Sequence, residues 1–147
     1  MKTILVPVDF SAVTPGVMRA ACQLAKLAKS KLVLLHVVQP PVVVNVYGLG
    51  HELLGPTLAE SKEVTTRKLG TLIKQCVRQE IPVRAVQQSG VVVTEILATA
   101  KRLKATYLVL GSHGHGAAYD LIAGSTTNGV LRRAPCPVLV VPAKRRG

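Results

Sequence analysis

Short, almost wholly apolar runs alternate along the chain with longer stretches in which apolar positions recur every three or four residues. The short runs are Thr3 to Val8, Leu32 to Val38, Pro82 to Gln88, Thr106 to Leu110 and Pro137 to Val141. Rich in Val, Leu and Ile, they read as strands buried on both faces. The stretches between them read as helices. The first opens with Thr14 as N-cap and Pro15 at the first helical position, a favoured pairing. Its apolar residues Val17, Ala21, Leu24, Ala25 and Ala28 share one face. A second helix carries Leu69, Leu72, Ile73, Cys76 and Val77 on one side, with Arg67, Lys68, Lys74 and Arg78 on or beside the other. A third covers about Val92 to Leu103 and a fourth about Ser125 to Arg133. Strand and helix in alternation predict an α/β fold, a parallel sheet covered on both faces, and right-handed crossovers make it doubly wound.

The length of 147 residues fits one domain, and a hydrophobic share of 48% excludes a disordered chain. Aromatic residues are only 3%, so the core must be built from Val, Leu, Ile and Ala. Residues Gln39 to Thr57 break the short-loop rule and predict a long mobile connection, and residues 143–147 form a basic tail. Nineteen Lys and Arg against seven Asp and Glu give a net charge of +12. Such a surplus favours anionic partners: nucleotides, nucleic acid, phospholipid head groups or an acidic protein. Cys22, Cys76 and Cys136 are widely spaced with no C-x-x-C, which indicates neither a disulfide framework nor a zinc site. The longest apolar run, Leu32 to Val38, falls far short of the ~20 residues a membrane span needs. The N-terminal run stops at Asp9, too soon for a signal peptide. A cytoplasmic location is the expectation.

Candidate chemistry concentrates in Leu108 to Thr127, where a strand ends in Gly111, Gly114 follows, and Gly124, Ser125 and Thr126 open a helix. Glycines let the backbone approach a ligand closely. The unpaired N–H groups of a helix start suit phosphate oxygens. The same residues also read as a steric turn followed by an N-cap. Neither G-x-x-x-x-G-K-[ST] nor G-x-G-x-x-G occurs. Asp9 follows the first strand directly; if the first and fourth strands flank the reversal of strand order, Asp9 and Gly111 share a crevice. There Asp9 could accept from ribose hydroxyls or help hold a metal, or it could simply satisfy turn amides.

Gly111-x-x-Gly114, nine residues, then Gly124-Ser125 resembles the nucleotide-binding signature of the universal stress protein family. The blocks ILVPVDFS (Ile4 to Ser11), LLHVV (Leu34 to Val38) and APCPVLVVP (Ala134 to Pro142) are similar to that family too, in the same order and spacing. The resemblance covers nearly the whole chain. It implies a five-stranded parallel sheet of order 3-2-1-4-5 and the ATP-binding branch of the family. It places Asp9 by the ribose and a Mg²⁺ held through the phosphates, with Val37 on adenine through its backbone. Gly111 would lie under the ribose, and Gly114, Gly124, Ser125 and Thr126 would hold the phosphates. Pro7, Ser112, His113 and His115 complete the implied nucleotide-binding set. ATP is the implied ligand, with AMP or another adenine nucleotide as alternatives. The last strand, Val138, Leu139, Val140 and Val141, would pair across a two-fold axis in a homodimer.

Two departures from the family pattern stand out. His115 replaces the Arg or Lys common after the second glycine, and Ser89-Gly90-Val91-Val92 lacks the usual acidic-Pro pair. A neutral imidazole would weaken phosphate affinity or make it pH-dependent.

Other candidates resolve into blander readings. His113 and His115 lack a third metal ligand of similar character. His51-Glu52 begins like a zincin motif, but Gly55 stands where the second His belongs. His36 reads as a hydrogen-bonded core or pocket-edge histidine. Gly111-Ser112-His113-Gly114 is not a nucleophile elbow, because Leu110 stands where that motif needs glycine. The site therefore reads as one that holds a nucleotide, with slow ATP hydrolysis at most. Lys101, Arg102 and Lys104, and the pair Arg132-Arg133, end helices where cations complement the dipole. With no stacking aromatics besides Phe10, Tyr47, Tyr107 and Tyr119, no dedicated nucleic-acid site is expected. The expectation is a nucleotide-responsive regulatory homodimer; the alternative is a scaffold of the same fold that recruits an anionic partner.

Overall fold

The computed structural model describes residues 1–40, 58–113 and 123–143. Along them run β1 (Lys2–Pro7), α1 (Thr14–Ala28), β2 (Ser30–Val38), α2 (Leu58–Val77), β3 (Val83–Ser89), α3 (Val92–Arg102), β4 (Tyr107–Gly111), α4 (Ser125–Leu131) and β5 (Val138–Val141). The strands form one parallel sheet in the order β3-β2-β1-β4-β5. Pairing sets Ile4 beside both Leu32 and Tyr107, so strand order reverses on either side of β1. A crevice therefore opens beyond the carboxyl ends of β1 and β4.

Alternate residues of each strand face opposite layers. Ile4, Val6, Leu32, Leu34 and Val109 pack with Val17, Ala21 and Cys22 of α1 and with Leu69 and Cys76 of α2. Leu5, Val33, Leu35, Leu108 and Leu110 pack on the other side with Ile96 and Ala100 of α3 and Val130 of α4. Burial on both faces is the reason the strands show no polar alternation. In the first layer the Cys22 and Cys76 sulfurs approach to 3.9 Å, joining α1 to α2.

Two local expectations shift. The N-cap of α1 is Val13 rather than Thr14, so Thr14 and Pro15 occupy the first two helical positions. The turn before the helix already has near-helical geometry: Thr14 N–H donates to Ser11 O at 3.0 Å and Val17 N–H to Val13 O at 3.1 Å. Val77, read as core-facing, is 61% exposed where α2 ends and the chain turns through Gln79 and Glu80 toward β3. Residues 41–57 of the expected long loop and 144–147 of the tail lie outside the described residues. Among the described residues no helix is long and apolar enough to cross a membrane.

Candidate functional site

Each segment that enters the crevice is placed by a strand end. Beyond Pro7 the chain delivers Asp9, whose Oδ1 accepts the Ser11 N–H at 2.9 Å. This is the local turn bond that a structural aspartate makes, yet Asp9 is exposed and lines the crevice as well. Phe10 follows in a left-handed conformation (φ 60°) and lays its ring 4.9 Å from that of His36 on β2. His36 Nδ1 donates to the Val8 carbonyl at 2.8 Å. A carbonyl can only accept, so that nitrogen carries a proton. Val37 points to the opposite sheet face and packs against the α3–α4 layer.

The turn after β4 is fixed by an unexpected residue. Thr127, buried at 4% exposure, donates from Oγ1 to Gly111 O at 2.7 Å. That bond ties the first turn of α4 to the end of β4. Ser112 completes the tie: its N–H donates to Val141 O at 2.8 Å, and its carbonyl accepts from Gly124 at 2.7 Å. Its hydroxyl accepts from Ala143 N–H at 3.1 Å and lies 3.0 Å from His113 Nδ1. Ser112 thus braces the turn. The N-cap Gly124 supplies no side-chain bond to the helix start. By helix geometry the first-turn amides have no intrahelical acceptors, and the residues that carry them face the crevice.

The resulting cleft encloses about 900 Å³. Pro7, Asp9, Val37, Gly111, His113, Gly124, Ser125 and Thr126 all line it. Gly114 and His115 lie outside the described residues. Val13, His36 and Lys62 also line the cleft and were not singled out as ligand contacts. Nothing local marks them: Lys62 reads as one charge on a helix surface, and the His36 partner lies far away in sequence. Among the described lining residues Asp9 is the carboxylate and Lys62 the permanent cation. No group of three or more His, Cys, Asp or Glu converges on a metal position among the described residues.

At Gly111 the backbone is too closely packed for a side chain. A Cβ there would sit 2.5 Å from Val13 Cγ1 and 3.2 Å from His113 O. Behind the third helix, Gly90 (φ 147°) donates to Val38 O at 3.1 Å, and α3 starts without a side-chain cap at Val91. That is where the sequence departs from the family's acidic-Pro pair.

Residues 1–142 match the model of the universal stress protein family. A curated relative, Universal stress protein Sll1654 of Synechocystis, is 32% identical over 141 residues, covering 96% of this chain and 85% of the relative. The solved structure of hypothetical protein MJ0577, from Methanocaldococcus jannaschii, superposes with a TM-score of 0.82 at 26% identity, covering 98% of this chain and 97% of that one. A universal stress protein from Archaeoglobus fulgidus, solved in complex with dAMP, shares the fold at a TM-score of 0.68 and 19% identity, covering 96% and 98%.

Proposed function

This chain belongs to the universal stress protein family, and we propose that its cleft binds an adenine nucleotide, ATP with Mg²⁺ being the form the residues suit best. The observation that carries this reading is convergence. Asp9, Val37, Gly111, Gly124, Ser125 and Thr126 come from separate strands and one helix start, yet line a single cleft of about 900 Å³. The base would sit toward Val37, the ribose hydroxyls would donate to Asp9, and the phosphates would meet the first-turn amides of α4. A glycine at 111 lets Val13 and the His113 carbonyl close in against the end of β4, where a side chain would push them apart. Mg²⁺ would offset phosphate charge beside Asp9. The dAMP complex of the Archaeoglobus fulgidus relative supports an adenine nucleotide as the ligand class.

The site reads as one for holding, with the protein acting as a nucleotide-responsive homodimer whose copies pair through β5. Calorimetric titration with ATP and Mg²⁺ tests the core of this. Binding at sub-millimolar concentration is expected, and adenine nucleotide should be released when freshly purified protein is denatured. Absence of both would leave an empty scaffold of the same fold.

A further inference from the structure

In a doubly wound fold the strands begin, and the helices end, at the edge opposite the ligand cleft. Here that edge collects positive charge. The helices finish on Lys26 and Lys29, on Lys74 and Arg78, on the Lys101 group and on Arg132-Arg133, all exposed. Lys2 opens β1 and Arg84 lies near the start of β3. Glu80 is the acidic residue among the described residues of this end. One cation per helix end is what a dipole asks for. Several at every helix end, on both layers, exceed that need.

A second, independent observation comes from the apolar surface. Met1 is 80% exposed, Leu27 84%, Val77 61% and Leu131 45%. All four lie at this same end, and each is adjacent in sequence to a cation: Lys2, Lys26, Arg78 and Arg132. They come from a strand start and from the ends of α1, α2 and α4, so both helix layers contribute.

We propose that this end docks on an anionic lipid surface. Phosphate head groups would take the Lys and Arg side chains, while Leu27, Val77, Leu131 and Met1 dip into the boundary between head groups and acyl chains. A nucleic-acid backbone would be served by the cations alone and gives the protruding aliphatic side chains nothing to bury against. Stacking rings, which would recommend a single strand, are not what this surface presents. The proposal stands apart from the nucleotide reading, since no residue of the cleft takes part.

Vesicle flotation of the full chain tests it, with phosphatidylcholine alone compared with the same lipid containing about 30% phosphatidylglycerol at about 0.1 M salt. Partition to the anionic vesicles should exceed that to the neutral ones at least about tenfold and fall steeply with added salt. The triple variant K26E/K101E/R132E should abolish it. The variant L27S/V77S/L131S keeps the charge and should lose binding about severalfold; L27S alone, at the most exposed position, should show part of that loss. Circular dichroism melts confirm that each variant is folded. Failure of the wild type to prefer anionic vesicles overturns the proposal. So does a serine variant that binds vesicles as well as the wild type. Tighter binding to a duplex DNA of matched phosphate content, unchanged by the serine substitutions, also overturns it and marks a nucleic-acid face.

Discussion

Gly111 and Gly124 belong to one motif, but their surroundings differ. A Cβ on Gly124 would make ordinary contacts, 3.5 Å from Ser112 O and 3.8 Å from His113 Cα, whereas one on Gly111 meets the stiff Val13 at 2.5 Å. Gly111→Ala should therefore cost about 1–3 kcal/mol by overpacking and remove nucleotide binding, while Gly124→Ala should cost under about 1 kcal/mol. Urea melts with a parallel ATP titration measure both. Burial, with the neighbouring Cys22 adding to it, pushes the Cys76 thiol up to about 12. In the unfolded chain it ionises near 9.0, so the unfolded state holds fewer protons between these values. Stability should fall as pH rises through that window. Urea melts at about pH 8 and about pH 10 should show a smaller pH-dependent loss in Cys76→Ala than in the wild type. What sequence reasoning could read at this scale was residues whose type is special. Gly111 and Asp9 announced themselves; Thr127 did not, because its partner, Gly111 O, is met only once α4 has packed.

Elements were the most legible level. Strands buried on both faces leave continuous apolar runs, and all of them emerged within about two residues of their expected bounds. The starts expected for α3 and α4, Val92 and Ser125, are the observed ones, while that of α1 shifted. Val13 caps α1 by backbone geometry alone, and a Val carries no capping signal, so the favoured Thr14-Pro15 pair drew the boundary one residue late. Packing between elements left no trace in the pattern either. Gly129 lets α4 close on α3: a Cβ there would lie 3.0 Å from Val93 Cγ2. Replacing a helical glycine by alanine gains about 1 kcal/mol of helix propensity, which the contact with Val93 opposes. Gly129→Ala should accordingly be more favourable in a Val93→Ala background than in the wild type. A double-mutant cycle by thermal melts would detect that coupling, and strict additivity would contradict the packing argument.

For the whole molecule, the family resemblance anticipated the sheet order, because four sequence blocks in fixed order constrain topology more than any one motif. The distribution of charge was not anticipated. Each basic pair was accounted for by its own helix dipole, and only the assembled fold brings the pairs to one edge. The proposed pairing of two copies also belongs to this scale. β5 is the outermost strand, with Leu139 42% exposed, and an unpaired strand edge invites a partner. Leu139→Lys should shift the protein from dimer to monomer in light scattering while nucleotide affinity changes by less than about threefold. A variant that remains dimeric would place the interface elsewhere.

The brace around Ser112 has a bearing on how the protein is born. Its amide and hydroxyl are held by Val141 and Ala143, which leave the ribosome after every residue that lines the cleft. A nascent chain halted before Val141 would have the described cleft-lining residues and still lack the clamp that aligns them. Capture of the proposed nucleotide would then wait until β5 has been made and has paired beside β4.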